Sequence, residues 1–235
     1  MSMIKSVIEK STLSEQVRNY LLNLITTNKL EPGAKVPSEK QLIETLGVSR
    51  GVVREAFQAL SILGILDISS GKHPRVQTVN SSALETIFNY SMVTRQISTG
   101  EILELRRTLE VQCAALAARH GSEDDFSRLR MEMENLRHVF GDHQQFIIHD
   151  TQFHLILAEA SGNPIYALLL QALRASLENS IAAGLQAHDI NDRREKIISV
   201  HQAILEKVCL RDEAGAREAM EDHFDSAINA LIVQK

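Results

Sequence analysis

Apolar residues recur along most of this chain at intervals of three and four, the spacing that gathers them on one face of a helix. The first run is Leu13, Val17, Leu21, Leu24 and Ile25. It follows Thr12 and Glu15, which form the capping-box pattern of a helix start. Leu30 to Gly33 (Leu-Glu-Pro-Gly) is turn chemistry. A second helix is predicted after Pro37, with Ser38 as N-cap, Gln41 three residues on, and Leu42, Ile43 and Leu46 as its apolar face, ending at Gly47. A third begins with Ser49 as N-cap, buries Val53, Ala56, Phe57, Leu60 and Leu63, and closes at Gly64. Two short helices joined by a tight glycine-containing turn make a helix-turn-helix. The pattern then changes. Residues 65–69 and 75–79 are short and β-prone, and Ser70 to Pro74 between them is turn-forming, which predicts a hairpin, or wing.

After the polar stretch 80–83 the helical period returns and persists. Helices are predicted over 84–95, 99–119, 122–140, 142–160, 164 to about 184, 192–210 and 212–233. In the second of these Ile102, Leu105, Leu109, Cys113 and Leu116 share a face, and in the third Phe126, Leu129, Met133, Leu136 and Phe140 do. Asn163 followed by Pro164 is an N-cap with proline at the first helical position. Six or seven helices with short connections imply an antiparallel bundle. The expected fold is therefore mainly α: a winged helix-turn-helix over residues 1–79 and an all-helical domain over 80–235. Composition agrees, because Trp is absent and aromatics make up only 4%, whereas large β-sandwich cores lean on aromatic residues.

Charge sharpens the division. The net charge is −5, yet residues 1–78 carry 10 Lys and Arg against 7 Asp and Glu, while residues 79–235 carry 15 against 23. A basic head on an acidic body suits a nucleic-acid-binding module attached to something else. Eight of the nine histidines fall in the acidic part. No apolar run is long enough to span a bilayer, and the start lacks the apolar stretch of a signal peptide. The two cysteines, Cys113 and Cys209, lie in helical segments and read as core thiols of a reducing compartment. A cytoplasmic protein with no membrane partner is expected.

In the third helix Arg50 and Arg54 share the face opposite Val53, Phe57 and Leu60. A recognition helix reads base edges with its N-terminal residues, and the arginine fork binds guanine O6 and N7 together. Ser49 and the helix N-terminus can hold a phosphate. Gly51 lets the backbone approach closely. Lys40 sits early in the second helix, and Gly71 and Lys72 at the wing tip. Taken alone, the two arginines could equally be solvated helix charges. The segments Leu30-Glu-Pro-Gly-Ala-Lys-Val-Pro-Ser-Glu-Lys-Gln-Leu42 and Leu46-Gly-Val-Ser-Arg-Gly-Val-Val-Arg-Glu-Ala-Phe57, however, resemble the GntR-family winged helix, over about residues 11–79. The resemblance implies a homodimer on double-stranded DNA with a short palindromic operator. It also implies DNA contacts by Lys40, Ser49, Arg50, Gly51, Arg54, Gly71 and Lys72. Gly51 stands where the family commonly has Thr, which limits it to main-chain contact. Lys40 stands for a common Arg and lacks its bidentate fork.

In the helical part Asp150 and His154 are four residues apart and share a face. His201 and His223 lie on two later helices whose apolar faces are strong. Ionisable groups pointing inward need a partner, and one cation would satisfy all four. Three imidazoles and a carboxylate suit a divalent ion: zinc first, with Ni, Mn, Co or Fe also compatible. Four protein ligands close a tetrahedral zinc site, whereas an ion accepting more ligands leaves room for a small molecule. The competing reading is of histidines scattered on helix surfaces or hydrogen-bonded in the core, and His120, His138, His143, His149 and His188 are assigned to it. The set Asp150-x-x-x-His154, Gly162-Asn-Pro164, His201, His223, together with Glu104-Leu-Arg-Arg-Thr-Leu-Glu110, is similar to the FCD effector domain of FadR-type GntR regulators, over about residues 84–233. The resemblance implies metal binding by Asp150, His154, His201 and His223, and binding of an effector carboxylate by Arg106. Without it, Arg106 reads as an ordinary ion pair with Glu110, and Arg107 is read that way in any case.

The function expected is a DNA-binding transcriptional repressor of a metabolic operon, controlled by a small organic acid at a metal site. Two alternatives stay open. One is a regulator whose metal is purely structural and which has no effector. The other is a metal-dependent hydrolase, against which stands the lack of an HExxH motif, a nucleophile–base pair or a glycine-rich phosphate loop.

Overall fold

The computed structural model describes residues 11–69, 72–139, 141–175 and 190–232. The chain divides into two compact units, Met1–Ala83 and Leu84–Lys235.

The first unit holds α1 (Leu13–Thr27), α2 (Glu39–Leu46), α3 (Arg50–Ile62), β1 (Leu66–Asp67) and β2 (Arg75–Val76). Its helices start where their caps dictate. Thr12 with Glu15, and Ser38 with Gln41, form reciprocal capping boxes, and the Ser49 hydroxyl accepts from the Val52 amide. Gly47 takes the left-handed conformation that ends α2. The core comprises Val17, Leu21, Val36, Leu42, Val53, Ala56, Phe57, Leu60, Leu66 and Val76. Two residues expected in it are outside. Leu13 is 56% exposed, because it is the first residue of α1 and lies beyond the layer formed by Val17 and Leu21. Leu63 is 54% exposed. The chain turns at Gly64, whose φ is +69°, the Ile65 amide closes onto the Leu60 carbonyl, and Leu66 fills the core in place of Leu63.

The wing is shorter than its β-prone sequence. β1 and β2 pair antiparallel through Leu66 with Val76 and Asp67 with Arg75. The Asp67 carboxylate accepts both the Ser69 amide and its hydroxyl, which turns the chain out of the ladder. β2 gains a second neighbour in the segment before α2: Lys35 bridges Arg75, and the Arg75 guanidinium donates to the Gly33 carbonyl at 2.5 Å. The winged helix-turn-helix is thus closed by backbone pairing on both sides of β2.

The second unit is all helical among its described residues: α4 (Ser82–Val93), α5 (Thr99–His120), α6 (Glu123–His138), α7 (His143–Ala160), α8 (Pro164–Ala175), α9 (Ile190–Cys209) and α10 (Glu213–Ile232). The expected continuation of α8 to about residue 184, together with Phe140 and His188, lies outside the described residues. α5 is the centre, packed by α7, α8, α9 and α10. That position explains a departure from the expected face. A helix with neighbours on several sides is buried on more than one stripe, and the alanines at 114, 115, 117 and 118 allow close approach. Leu105, expected inside, is 46% exposed, while Arg106 and Glu110 are buried. α6 behaves as patterned, burying Phe126, Leu129, Met133 and Leu136. The Asn163 carboxamide caps α8 by accepting from the Ile165 amide. Cys113 is buried and both cysteines are free thiols. Burial, with Glu110 adding to it, pushes the Cys113 thiol up to about 12. Among the described residues no helix is long and apolar enough to cross a membrane.

Candidate metal centre and nucleic-acid interface

At the head of α3 the charged side chains are on the surface. Arg50, Gly51 and Arg54 are exposed, as is Lys40 one residue into α2. The Arg54 guanidinium lies 3.5 Å from the carboxylate of Glu39, and Lys40 lies 3.9 Å from Glu44. Exposed pairs of this kind are worth about 0–1 kcal/mol and are readily exchanged for a phosphate or a base edge. A Cβ at Gly51 would meet only Ser49 Oγ at 3.9 Å, so the fold itself does not require glycine there. Lys72 is exposed on the wing, and Gly71 lies outside the described residues. Glu39 does not stand out in the sequence, because a glutamate in the first turn of a helix is an ordinary dipole partner.

The interior of the helical unit is the opposite case. α7 brings Asp150 and His154, α9 brings His201 and α10 brings His223 to one place. One nitrogen from each histidine lies within 4.8 Å of the others. The ring centroids are 5.4 Å apart for His154 and His201, 4.9 Å for His154 and His223, and 4.7 Å for His201 and His223. Asp150 Oδ1 faces the same point, 3.0 Å from His201 Nε2 and 3.8 Å from His154 Nε2.

The partners behind these rings fix which nitrogen faces inward. His201 Nδ1 donates to the Ile197 carbonyl at 2.8 Å, leaving Nε2 toward Asp150. His154 Nδ1 is in direct contact with Glu110 Oε2, off the axis of an ideal hydrogen bond, and its Nε2 faces Asp150. A carboxylate or carbonyl behind an imidazole is the usual outer support of a metal-binding histidine. Burial is the largest influence on His154 and His223. It pulls His154 down to about 4 against the upward influence of Glu110, and it holds His223 well below its ordinary value, with His201 and His154 adding to the effect. Both rings are therefore neutral near pH 7, the form that binds a metal.

Two carboxylates and two guanidiniums complete the interior. Glu110 is 1% exposed and accepts from Arg106 Nε at 2.7 Å. The Arg106 guanidinium also stands 5.5 Å over the Phe224 ring. Arg174 of α8 is 1% exposed and pairs directly with Asp150 Oδ2. Burial alone would raise both carboxyls. The Arg106 guanidinium holds Glu110 below the ordinary range, and the Arg174 guanidinium does the same for Asp150. By sequence Glu110 reads only as an ordinary partner for Arg106, and Arg174 is not singled out. The available signal is one arginine in the apolar run Leu168 to Leu173 and onward. His149 pairs with Glu132 at 2.6 Å, outside the cluster.

The donor atoms are of the kind a divalent ion takes. His154 Nε2 and His223 Nδ1 are buried with no hydrogen-bond partner. Unpartnered buried polar atoms are costly and rare. A divalent cation among the three imidazoles and a carboxylate oxygen would relieve them, and the donor set suits a borderline ion such as zinc.

The comparisons with known proteins agree with both halves of the chain. Residues 13–76 match the model of bacterial regulatory proteins of the gntR family, and residues 101–226 match the FCD domain. The chain is 29% identical over 224 residues to the HTH-type transcriptional repressor NanR of Cronobacter sakazakii, covering 93% of this chain and 85% of that protein. It is 26% identical to NanR of Salmonella newport, over 96% and 87% of the two chains. The solved structure of a Streptococcus agalactiae GntR superposes with a TM-score of 0.70 at 26% identity, over 92% of this chain and 99% of that one. The chain belongs to the gntR family of bacterial regulatory proteins with an FCD domain, and it is a DNA-binding transcriptional regulator rather than an enzyme.

Proposed function

We propose that the chain is a repressor acting as a homodimer on a palindromic operator in the cytoplasm, released or tightened by a small organic acid that binds beside a divalent metal ion. The single observation that carries this is the convergence, inside the helical unit, of His154, His201 and His223, with Asp150 Oδ1 against the first two and with buried nitrogens of His154 and His223 that lack partners. Asp150 Oδ1 and one nitrogen of each histidine would hold the ion, with zinc the first candidate. The ion supplies a positive centre that attracts an anion. The chain's own charges say why an anion belongs there. Two guanidiniums, Arg106 and Arg174, already balance two carboxylates, Glu110 and Asp150. An added dication leaves uncompensated positive charge in a buried place, which is expensive. An anionic effector removes that cost.

On the DNA side, Arg50 and Arg54 would enter the major groove. Ser49, Lys40 and the main chain at Gly51 would hold the phosphates, and Gly71 and Lys72 would reach from the wing. Repression is drawn from the relatives, which are repressors by name.

Control requires the acid to bind the DNA-competent and DNA-incompetent states with different affinity. The test is an operator titration with zinc-loaded protein in the presence of a panel of small carboxylic acids. At least one acid is expected to change operator affinity, and to lose that effect when the metal is removed. A second reading, a structural metal with no effector, draws on the four protein donors, which are enough to close a tetrahedral shell. It predicts operator affinity indifferent to every acid and a melting temperature that falls on metal removal.

A further inference from the structure

α4 carries more apolar surface than its own unit covers. Seven of its twelve residues are apolar, yet none of them is buried. A helix that is apolar nearly all round is normally enclosed. Phe88 and Met92 pack against the main core of the unit. The opposite face carries Ala83, Thr86, Ile87, Tyr90, Val93 and, just past the helix end, Thr94, held together by their spacing of three and four. Ile87 is 57% exposed, Tyr90 63% and Val93 83%. The Thr94 amide still donates to the Tyr90 carbonyl at 2.9 Å, so the face continues through it. This face has no charge. Glu85 is the only charged residue from Ser82 to Thr94, and its spacing puts it on the side of Phe88 and Met92. Helices that lie on DNA or on a membrane surface present lysine or arginine, and here there is none. The face is, moreover, symmetric about Tyr90. Ile87 and Val93 lie three residues to either side of it, and Thr86 and Thr94 lie four.

We propose that this face of α4 docks on the same face of a second copy of the chain, antiparallel, with Tyr90 at the two-fold axis. Ile87 then stands level with the partner's Val93 and beside the partner's Thr94, and Tyr90 meets the partner's Tyr90. An isologous contact needs a surface that is complementary to itself. A palindromic apolar row meets that need, and because it is uncharged it brings no like charges together. A palindromic operator takes two DNA-reading units related by a two-fold axis, and an isologous α4 pair supplies such an axis. The proposal rests on the homodimer reading above and adds to it the surface that joins the copies.

The test uses the full chain. Its oligomeric state is measured by sedimentation over a range of concentrations, with circular dichroism and thermal melts to follow folding. Wild type is expected to be dimeric. Ile87→Glu places a charge on the face twice per dimer and is expected to raise the dimer dissociation constant roughly 100-fold or more. Ile87→Glu combined with Val93→Lys is expected to recover most of that loss, because opposite charges then stand level across the axis. The axis itself is read by Tyr90→Cys and Asn89→Cys, each made with Cys209→Ser and oxidised. A disulfide needs Cα atoms within about 7 Å. Tyr90→Cys is expected to cross-link the copies, and Asn89→Cys, turned off the face, is not. A dimer that Ile87→Glu leaves as tight as wild type, or that Tyr90→Cys does not cross-link, overturns the proposal, while the homodimer reading stands on another surface. A double variant no tighter than Ile87→Glu alone overturns the antiparallel pairing and the proposal with it. Loss of folding in Ile87→Glu overturns it too, because the side chain would then be packed within its own chain. If wild type is monomeric throughout, the homodimer reading itself fails and the proposal falls with it.

Discussion

The two units of this chain treat charge in opposite ways. In the winged helix-turn-helix Lys40, Arg50 and Arg54 stand in solvent, and the partners of Arg54 and Lys40, Glu39 and Glu44, are 3.5 and 3.9 Å away and easily exchanged. In the helical unit Arg106, Arg174, Glu110, Asp150 and three histidines are enclosed by α5, α7, α8, α9 and α10. Surface charge of the first kind is suited to a polyanion that arrives and leaves, because little is lost when the pairs open. Enclosed charge of the second kind is suited to holding a compact ion in fixed geometry. Each member is oriented by another, and removing one leaves its partner buried and uncompensated.

The contrast is broken most severely at its enclosed end. His201 is fully buried, and His201→Ala is expected to abolish metal retention, a larger effect than any loss of an outer support. Glu110→Gln is expected to lower metal affinity roughly 10- to 100-fold, as loss of a carboxylate behind a liganding histidine does. Both are read by chelator competition.

Acid should attack the same region. His154 is held at about 4 in the folded chain against an ordinary 6.5. As pH falls through 6.5 the unfolded chain takes up protons that the folded chain refuses. The stability tied to this group is therefore complete above 6.5 and is lost progressively toward 4. Asp150 and Glu110, held below their ordinary values, extend the loss in the same direction at lower pH. The melting temperature of the metal-free protein is expected to fall steadily from pH 7 to pH 4. A flat profile over that range would show that the cluster is solvated.

At the exposed end the effects are smaller and concern DNA. Arg54→Ala is expected to cost about 1–3 kcal/mol of operator affinity and to relax sequence preference at its base. Lys40→Ala should weaken all sequences alike and reduce the salt slope by about one. Ser49→Ala removes the cap on α3 and is expected to cost about 1 kcal/mol of stability in the winged unit, read by thermal melting.

The same contrast decides what is legible in the sequence. Helix starts can be read because capping is local: Thr12, Ser38 and Ser49 each act within three residues. Asp150, His154, His201 and His223 stand out because ionisable side chains interrupt strong apolar faces. Leu63 and Leu105 look like core residues but are not, because helical spacing does not show where a helix ends or how many neighbours surround it. Arg106 and Glu110, four apart, look the same in sequence whether the pair is on a surface or in an interior. Only the placement of α5 among four helices decides that they are inside. Arg174 is hidden for a related reason: its partner Asp150 is 24 residues away on another helix, and no local spacing connects them.

In the proposed regulation an acid bound in the enclosed cluster controls the exposed DNA-reading surface. The most direct measurement is operator affinity of the metal-loaded chain with and without an acid that binds it, repeated after metal removal. A change of about tenfold or more is expected, within the usual range of coupling between sites, present with metal and absent without it. An operator affinity that stays the same while the acid is bound at saturation would contradict it.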